Sequence, residues 1–291
     1  MSARNLLVLL SVAAAGWFCL GAAAPESEKT PHVVFVIGDD EYQADVTMPP
    51  IARELEETCG KKCTLLLAQP DQKTRNNIPC LEALAQADLA VFCLRFRELP
   101  DDQMAHIRKY LDSGKAVMAV RHSTIGFKNW REFAPTILGT PPYQFHYGGD
   151  SSTDVRVIPE AADHPILKGI PKEFHVRSWL YGVLPLAQGA TPLLMGKAVG
   201  GATKRERVDN PVAWTFAHKG GRVFYTSLGH IDDFKVEAVH RLFINAPAQH
   251  ASGSHSTCSS KCPAPRPPTA ESGCTGPCRG CARRGACPGR V

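Results

Sequence analysis

Ser113-Gly-Lys-Ala-Val-Met-Ala-Val-Arg-His-Ser-Thr-Ile-Gly126 decides the fold. Gly114 reads as a helix stop, because glycine accepts the left-handed conformation that ends helices. Residues 116–120 read as a short, buried, parallel strand, and Arg121-His122-Ser123-Thr124 breaks it abruptly. In open α/β sheets, ligands bind beyond the carboxyl ends of such strands. Arg121, His122 and Ser123 are therefore the first candidate site residues.

Upstream the pattern repeats. Residues 32–37 form a continuous β-branched run, ending in Gly38-Asp39-Asp40-Glu41-Tyr42. A helix is expected over residues 47–58, with Pro49 and Pro50 in its first turn. Residues 63–68 and 88–94 read as strands, with a polar loop at 69–79 and a short helix at 81–87 between them. Arg95-Phe96-Arg97 follows the second of these strands. Residues 99–111 make an amphipathic helix, with Asp101 and Asp102 in the first turn and Met104, Ile107 and Leu111 on one face. Four alternations of strand and helix predict an α/β fold with a mostly parallel sheet.

The second half is less regular. Residues 125–150 are rich in aromatics and turn formers, including Trp130, Tyr143, Phe145, His146 and Tyr147. These rings either cap the sheet or wall a substrate site, and His146 is the polar candidate among them. Short strands are expected at 153–158, 178–184 and 192–195. Lys219-Gly220-Gly221 between two apolar runs is a hairpin signature, and the second run leads into Gly229-His230. A terminal helix is expected over 237–245, stopping at Ala246-Pro247.

Composition sets the remaining bounds. The net charge of +5 is carried by residues 247–291, where six Lys and Arg stand against one acid, Glu271. The rest is close to neutral, which argues against nucleic acid as a partner. Residues 1–24 have a basic start, an apolar stretch and small residues at 22–24, the pattern of a secretory signal peptide. That predicts a periplasmic or secreted bacterial protein with no membrane association after cleavage. The domain is expected over residues 25–246. Residues 247–291 hold six cysteines and seven prolines with almost no large apolar side chain, so a disordered, frameshift-like tail is expected. Its irregular Cys258/Cys262 and Cys274/Cys278 spacings assign no zinc site. Cys59 and Cys63 are close enough in sequence for a small disulfide, whereas Cys93 reads as a buried apolar residue.

Phe35-Val-Ile-Gly-Asp-Asp-Glu-Tyr42, Leu99-Pro-Asp-Asp-Gln103, Gly114-Lys-Ala-Val117, His164-Pro-Ile-Leu-Lys-Gly169 and Gly221-Arg-Val-Phe-Tyr-Thr-Ser-Leu-Gly-His230 resemble the trehalose-utilisation (ThuA-like) family. The resemblance runs over about residues 31–245. It implies a class I glutamine-amidotransferase-like fold: a flavodoxin-like three-layer sandwich with helices on both faces of the sheet. It also implies a role in the catabolism of disaccharides or their keto derivatives, without a firmly assigned reaction.

In the amidotransferase superfamily a strand-to-helix elbow carries a nucleophilic Cys, with its His on a later strand end. The resemblance lays Arg121 on that Cys position and His230 near that His. Glutaminase chemistry is therefore not expected. The strand ends gather Asp39, Asp40, Glu41, Tyr42, Arg95, Arg121, His122, Ser123 and His230, with His146 nearby in the aromatic loop. Three readings stay open. The favoured one is acid/base chemistry on a sugar by His122, His230 and Glu41, with Arg121 as a further catalytic candidate. Asp39, Asp40, Tyr42, Arg95, Ser123 and His146 would then bind the substrate. The second is a metal held by His122, His146, His230 and a carboxylate, but no HxxH or HExxH spacing supports it and no metal is assigned. The third is a non-catalytic carbohydrate-binding or scaffolding protein with a degenerate pocket. The residues name no cofactor and leave a homo-oligomer open.

Overall fold

Val33 to Ile37 have no solvent-exposed face, and the strand they form is accordingly internal. The computed structural model describes residues 29–250. The expected signal peptide, and the expected tail beyond residue 250, lie outside the described residues.

Among the described residues nine strands form one sheet: β1 (His32–Gly38), β2 (Lys62–Leu67), β3 (Leu89–Leu94), β4 (Ala116–Val120), β5 (Ser152–Val157), β6 (Glu173–Val176), β7 (Thr191–Val199), β8 (Asn210–His218) and β9 (Gly221–Thr226). Their order is β2-β1-β3-β4-β9-β8-β7-β5-β6. The first five are mutually parallel, with Val33 opposite both Cys63 and Leu89, and Val117 opposite Val223. That half has the flavodoxin-like order 2-1-3-4-5, with β9 in fifth place.

The expectation of a mostly parallel sheet is corrected by the other half. β8, β7, β5 and β6 are each antiparallel to their neighbours, so the sheet is mixed. The cause is topological. Parallel pairing needs a long crossover, usually a helix. Among the described residues the α-helices are α1 (Ala44–Cys59), α2 (Asp101–Asp112) and α3 (Glu237–His250), so none lies between β4 and β9. Lys219 and Gly220, both at positive φ, turn β8 directly back into β9.

Alternation along β1 feeds two cores. Val33, Phe35 and Ile37 pack with α1 and α3, whereas Val34 and Val36 pack with α2 and the short helix at Leu81–Gln86. Both faces of the parallel half are therefore covered by helix.

Three local expectations also change. Residues 178–184 form no regular strand; only Tyr181 makes a bridge, to His146. α3 runs through Pro247 to His250 instead of stopping before it. Pro247 lacks an N–H to donate, but Ala246 and Ala248 on either side are buried against the core. Cys63 is a free thiol, so no Cys59–Cys63 bridge forms; burial and the nearby Glu56 push the Cys63 pKa up to about 12. Cys93 is buried in the core.

Candidate functional site

Four parallel strands deliver their carboxyl ends to one place. β1 leads into Asp39–Tyr42, β3 into Arg95–Arg97, β4 into a 3-10 turn at Arg121–Ile125, and β9 into a capped 3-10 turn at Ile231–Lys235. The crevice between β1 and β3 is the switch point of a flavodoxin-like sheet, where ligands bind. Arg95 bridges it, with Nε 2.7 Å from Glu41 and Nη1 3.0 Å from Asp40.

The Tyr42 ring is the centre of the site. Its centroid lies 4.8 Å from His122, 5.8 Å from His230 and 6.1 Å from Trp179. His122 stacks on Tyr181 at 5.4 Å and meets Tyr143 edge-on. His146 stacks on Trp179 at 4.7 Å. Aromatic rings interleaved with polar groups thus come from both halves of the sheet. Such surroundings suit a ligand with flat apolar faces and hydroxyl edges.

His122 is only 6% exposed. Burial, then the positive charges of Arg121 and Arg95, hold its pKa well below the usual histidine value, so it is neutral at pH 7. Its Nε2 lies 2.8 Å from the Tyr181 hydroxyl. Its Nδ1 is buried, finds no hydrogen-bond partner among the described residues, and sits 3.8 Å from Glu41 Oε2. His230 is also lowered, by burial and then by Arg121. The Asp232 N–H donates to His230 Nδ1 at 3.1 Å, which places the His230 proton on Nε2. The Trp179 indole N–H is likewise buried without a partner.

Arg121 occupies an elbow. Its φ is +49°, a left-handed conformation that costs a non-glycine residue on the order of 1–3 kcal/mol. The Tyr225 hydroxyl holds it there by donating to the Arg121 carbonyl at 2.6 Å. The side chain turns inward and is 1% exposed. Nη1 donates to Ser178 Oγ and, at 2.9 Å, to the Ser227 carbonyl; Nη2 donates to the Tyr181 hydroxyl at 2.9 Å. The guanidinium also lies 3.7 Å from the Tyr42 ring centroid, a cation–π contact. Its counter-charge is Asp233, fully buried, reached through Ser178: the Ser178 hydroxyl donates to Asp233, which also accepts the backbone N–H groups of Ser178, Gly229 and His230.

The structure thus brings Asp40, Glu41, Tyr42, Arg95, His122, His146 and His230 together. Three other sequence candidates stand apart from the opening. Arg121 lies beneath the site. Ser123 is fully buried and ties β3 to β4, its one hydroxyl proton lying between the Phe92 and Val120 carbonyls at 2.8 and 2.9 Å while its oxygen accepts the Leu94 N–H at 3.2 Å, so it is not an available nucleophile. The Asp39 carboxylate accepts the N–H groups of Glu41 and Tyr42 and shapes the loop; burial raises its pKa. Residues that the sequence reading missed are Ser178, Trp179, Tyr181 and Asp233. The first three fall in the segment taken for a strand, and Asp233 is hidden in the pair Asp232-Asp233. Among the described residues no three His, Cys, Asp or Glu side chains converge as a metal-binding group.

The profile of the trehalose-utilisation family matches residues 68–248. The chain belongs to the ThuA family. A ThuA-like protein of Parabacteroides merdae superposes with a TM-score of 0.58 at 15% identity, over 81% of this chain and 94% of its own. One from Bacteroides uniformis gives 0.54 at 17% identity, over 76% and 92%. At such identities the likeness concerns the ThuA fold. No curated protein matches the sequence.

Proposed function

We propose that this ThuA protein binds a carbohydrate, a disaccharide or its keto derivative, in the crevice around Tyr42 and performs acid/base chemistry on it. The observation that carries this reading is the pair His122 and Glu41. An unpartnered, buried imidazole nitrogen stands 3.8 Å from a carboxylate, with aromatic rings around it. The family's description, trehalose utilisation, supports a sugar as the ligand.

The roles divide by charge. Both histidines are held neutral by burial and by Arg121, so each can offer an N–H to a sugar oxygen without carrying a charge. Glu41 is the base, held by Arg95. This is the division of labour seen wherever a carboxylate base faces a neutral imidazole. Glutaminase activity is not part of the proposal: the elbow carries Arg121, and the buried Cys93 thiol has its pKa raised by desolvation and by Asp39. We place the protein outside the cytoplasm, on the signal-like residues 1–24.

A binding protein without turnover is the second reading. Arg121 is tied to Ser227 and Tyr181 and Ser123 to backbone carbonyls, so neither is free to attack, which favours it. Calorimetric titration with trehalose and 3-ketotrehalose, together with NMR of the reaction mixture, separates the two. An enzyme loses turnover by about 10²–10⁴-fold in Glu41→Gln while keeping affinity within a few-fold. Binding with no product in the native protein means the second reading. No binding of either sugar removes both.

A further inference from the structure

Arg121, Tyr181 and His122 form hydrogen bonds in series. A guanidinium only donates, so the 2.9 Å contact from Arg121 Nη2 makes the Tyr181 oxygen an acceptor. Of its two remaining neighbours, His122 Nε2 at 2.8 Å and the Tyr42 hydroxyl, the imidazole nitrogen is the stronger acceptor and takes the Tyr181 proton. A neutral imidazole that accepts at Nε2 carries its own proton on Nδ1. Nδ1 is the buried, unpartnered nitrogen 3.8 Å from Glu41, a separation too long for a direct hydrogen bond.

We infer that Tyr181, oriented by Arg121, is a positioning residue that presents His122 to the site as an Nδ1–H donor, and that the group seated between His122 and Glu41 is a hydroxyl. A hydroxyl oxygen about 2.8 Å from both atoms closes a triangle on that 3.8 Å base. It accepts from His122 and donates its proton to Glu41. A carboxylate or phosphate oxygen accepts but has no proton to give, and it would meet the Glu41 charge. His230 is fixed in the opposite tautomer by the Asp232 N–H, so the two strand ends present two neutral donors of different geometry. The identity of the hydroxyl rests on the sugar reading above. The role of Tyr181 does not.

The test uses the full chain labelled with ¹⁵N-histidine and long-range proton–nitrogen correlation, with His122 assigned from the signals lost in His122→Gln. The expected native spectrum has a pyrrole-type nitrogen at His122 Nδ1 and a pyridine-type nitrogen at Nε2. In Tyr181→Phe the donor to Nε2 is gone, and the protonated population shifts toward Nε2. A native spectrum with the proton on Nε2 overturns the inference whether or not any sugar binds. So does an unchanged tautomer in a folded Tyr181→Phe variant; if that variant does not fold, the native spectrum alone decides. Titration with trehalose then tests the hydroxyl. A shift of the Nδ1 signal is expected. A correct native tautomer with an unmoved signal at saturating trehalose keeps the role of Tyr181 and removes the hydroxyl assignment for that sugar.

Discussion

Asp233→Asn removes one negative charge from a place with no water access and leaves the shape nearly unchanged. The native carboxylate accepts four donors: the Ser178 N–H at 3.0 Å on one oxygen, and the Ser178 hydroxyl, the Gly229 N–H at 3.0 Å and the His230 N–H at 3.2 Å on the other. An amide keeps one accepting oxygen and turns an NH2 toward the remaining donors, so at least one bond becomes a donor–donor contact. Arg121 also loses its counter-charge while staying buried. Removing one member of a buried charge pair costs about 3–5 kcal/mol, because the other is left uncompensated. The lost hydrogen bonds are part of the same figure, not additional to it. Against a typical domain stability of about 5–15 kcal/mol this is a large fraction. With a urea slope of roughly 2.5 kcal/mol per molar, the midpoint should fall by roughly 1–2 M. Arg121→Met should be costly too, but the double variant should be less destabilised than the sum by at least about 1 kcal/mol, since no lone charge remains. A loss below about 1 kcal/mol in Asp233→Asn, or strict additivity with Arg121→Met, would refute the pairing.

Stability should fall as pH drops from about 6.5 toward 5. His122 takes up a proton in the unfolded chain but not in the folded one, because its folded pKa is depressed; unfolding therefore consumes a proton, at a limiting slope of about 1.4 kcal/mol per pH unit. Urea midpoints between pH 7 and 5 measure this, and an identical slope in His122→Gln would count against it. Asp39 acts in the opposite sense, its raised pKa adding stability as pH falls through a folded value above the ordinary carboxylate one. Gly221→Ala should cost at least about 2 kcal/mol by thermal or urea unfolding, because the added Cβ would lie 2.4 Å from the Gly114 carbonyl oxygen and 2.6 Å from that of Lys115, with no flexible side chain to give way. Trp179→Ala should weaken sugar affinity about tenfold and leave stability within about 1 kcal/mol, as its ring is only partly buried. Unchanged affinity in that variant would move the sugar away from Trp179.

The parallel half was legible because buried parallel strands have a simple signature. Residues 33–37, 89–94 and 116–120 are unbroken apolar runs, and each becomes a strand ending in a candidate loop. The elbow at Arg121 was equally visible as an abrupt change from Val120 to a charged residue. The extension was harder to read. Its strands are half-exposed and irregular, as in β7, whose register shifts twice against β8. The missed wall of the site, Ser178 to Tyr181, lies in a segment without repeating hydrogen bonds, which no periodicity announces. Which way a polar side chain turns was also not legible. Arg121, Ser123 and Asp39 have the chemistry of site residues, and each is consumed by local hydrogen bonds that exist only once the tertiary structure has formed.

β4 and β9 are neighbours in the sheet, with Val120 opposite Thr226, yet about a hundred residues separate them. Arg121 bonds the Ser227 carbonyl across 106 positions, and Tyr225 bonds the Arg121 carbonyl across 104. Contacts this remote make for slow folding, because the chain entropy is lost before the contacts form. β1 to β4 can associate from residues close in sequence, whereas the crevice has no floor until the returning strand arrives. In a refolding experiment with pulsed hydrogen exchange, amides of β1 and β3 should become protected ahead of those around Arg121 and Asp233. The floor of the crevice is therefore late to form, and a nascent chain holds β1 to β4 before Arg121 has the Ser227 carbonyl to bond.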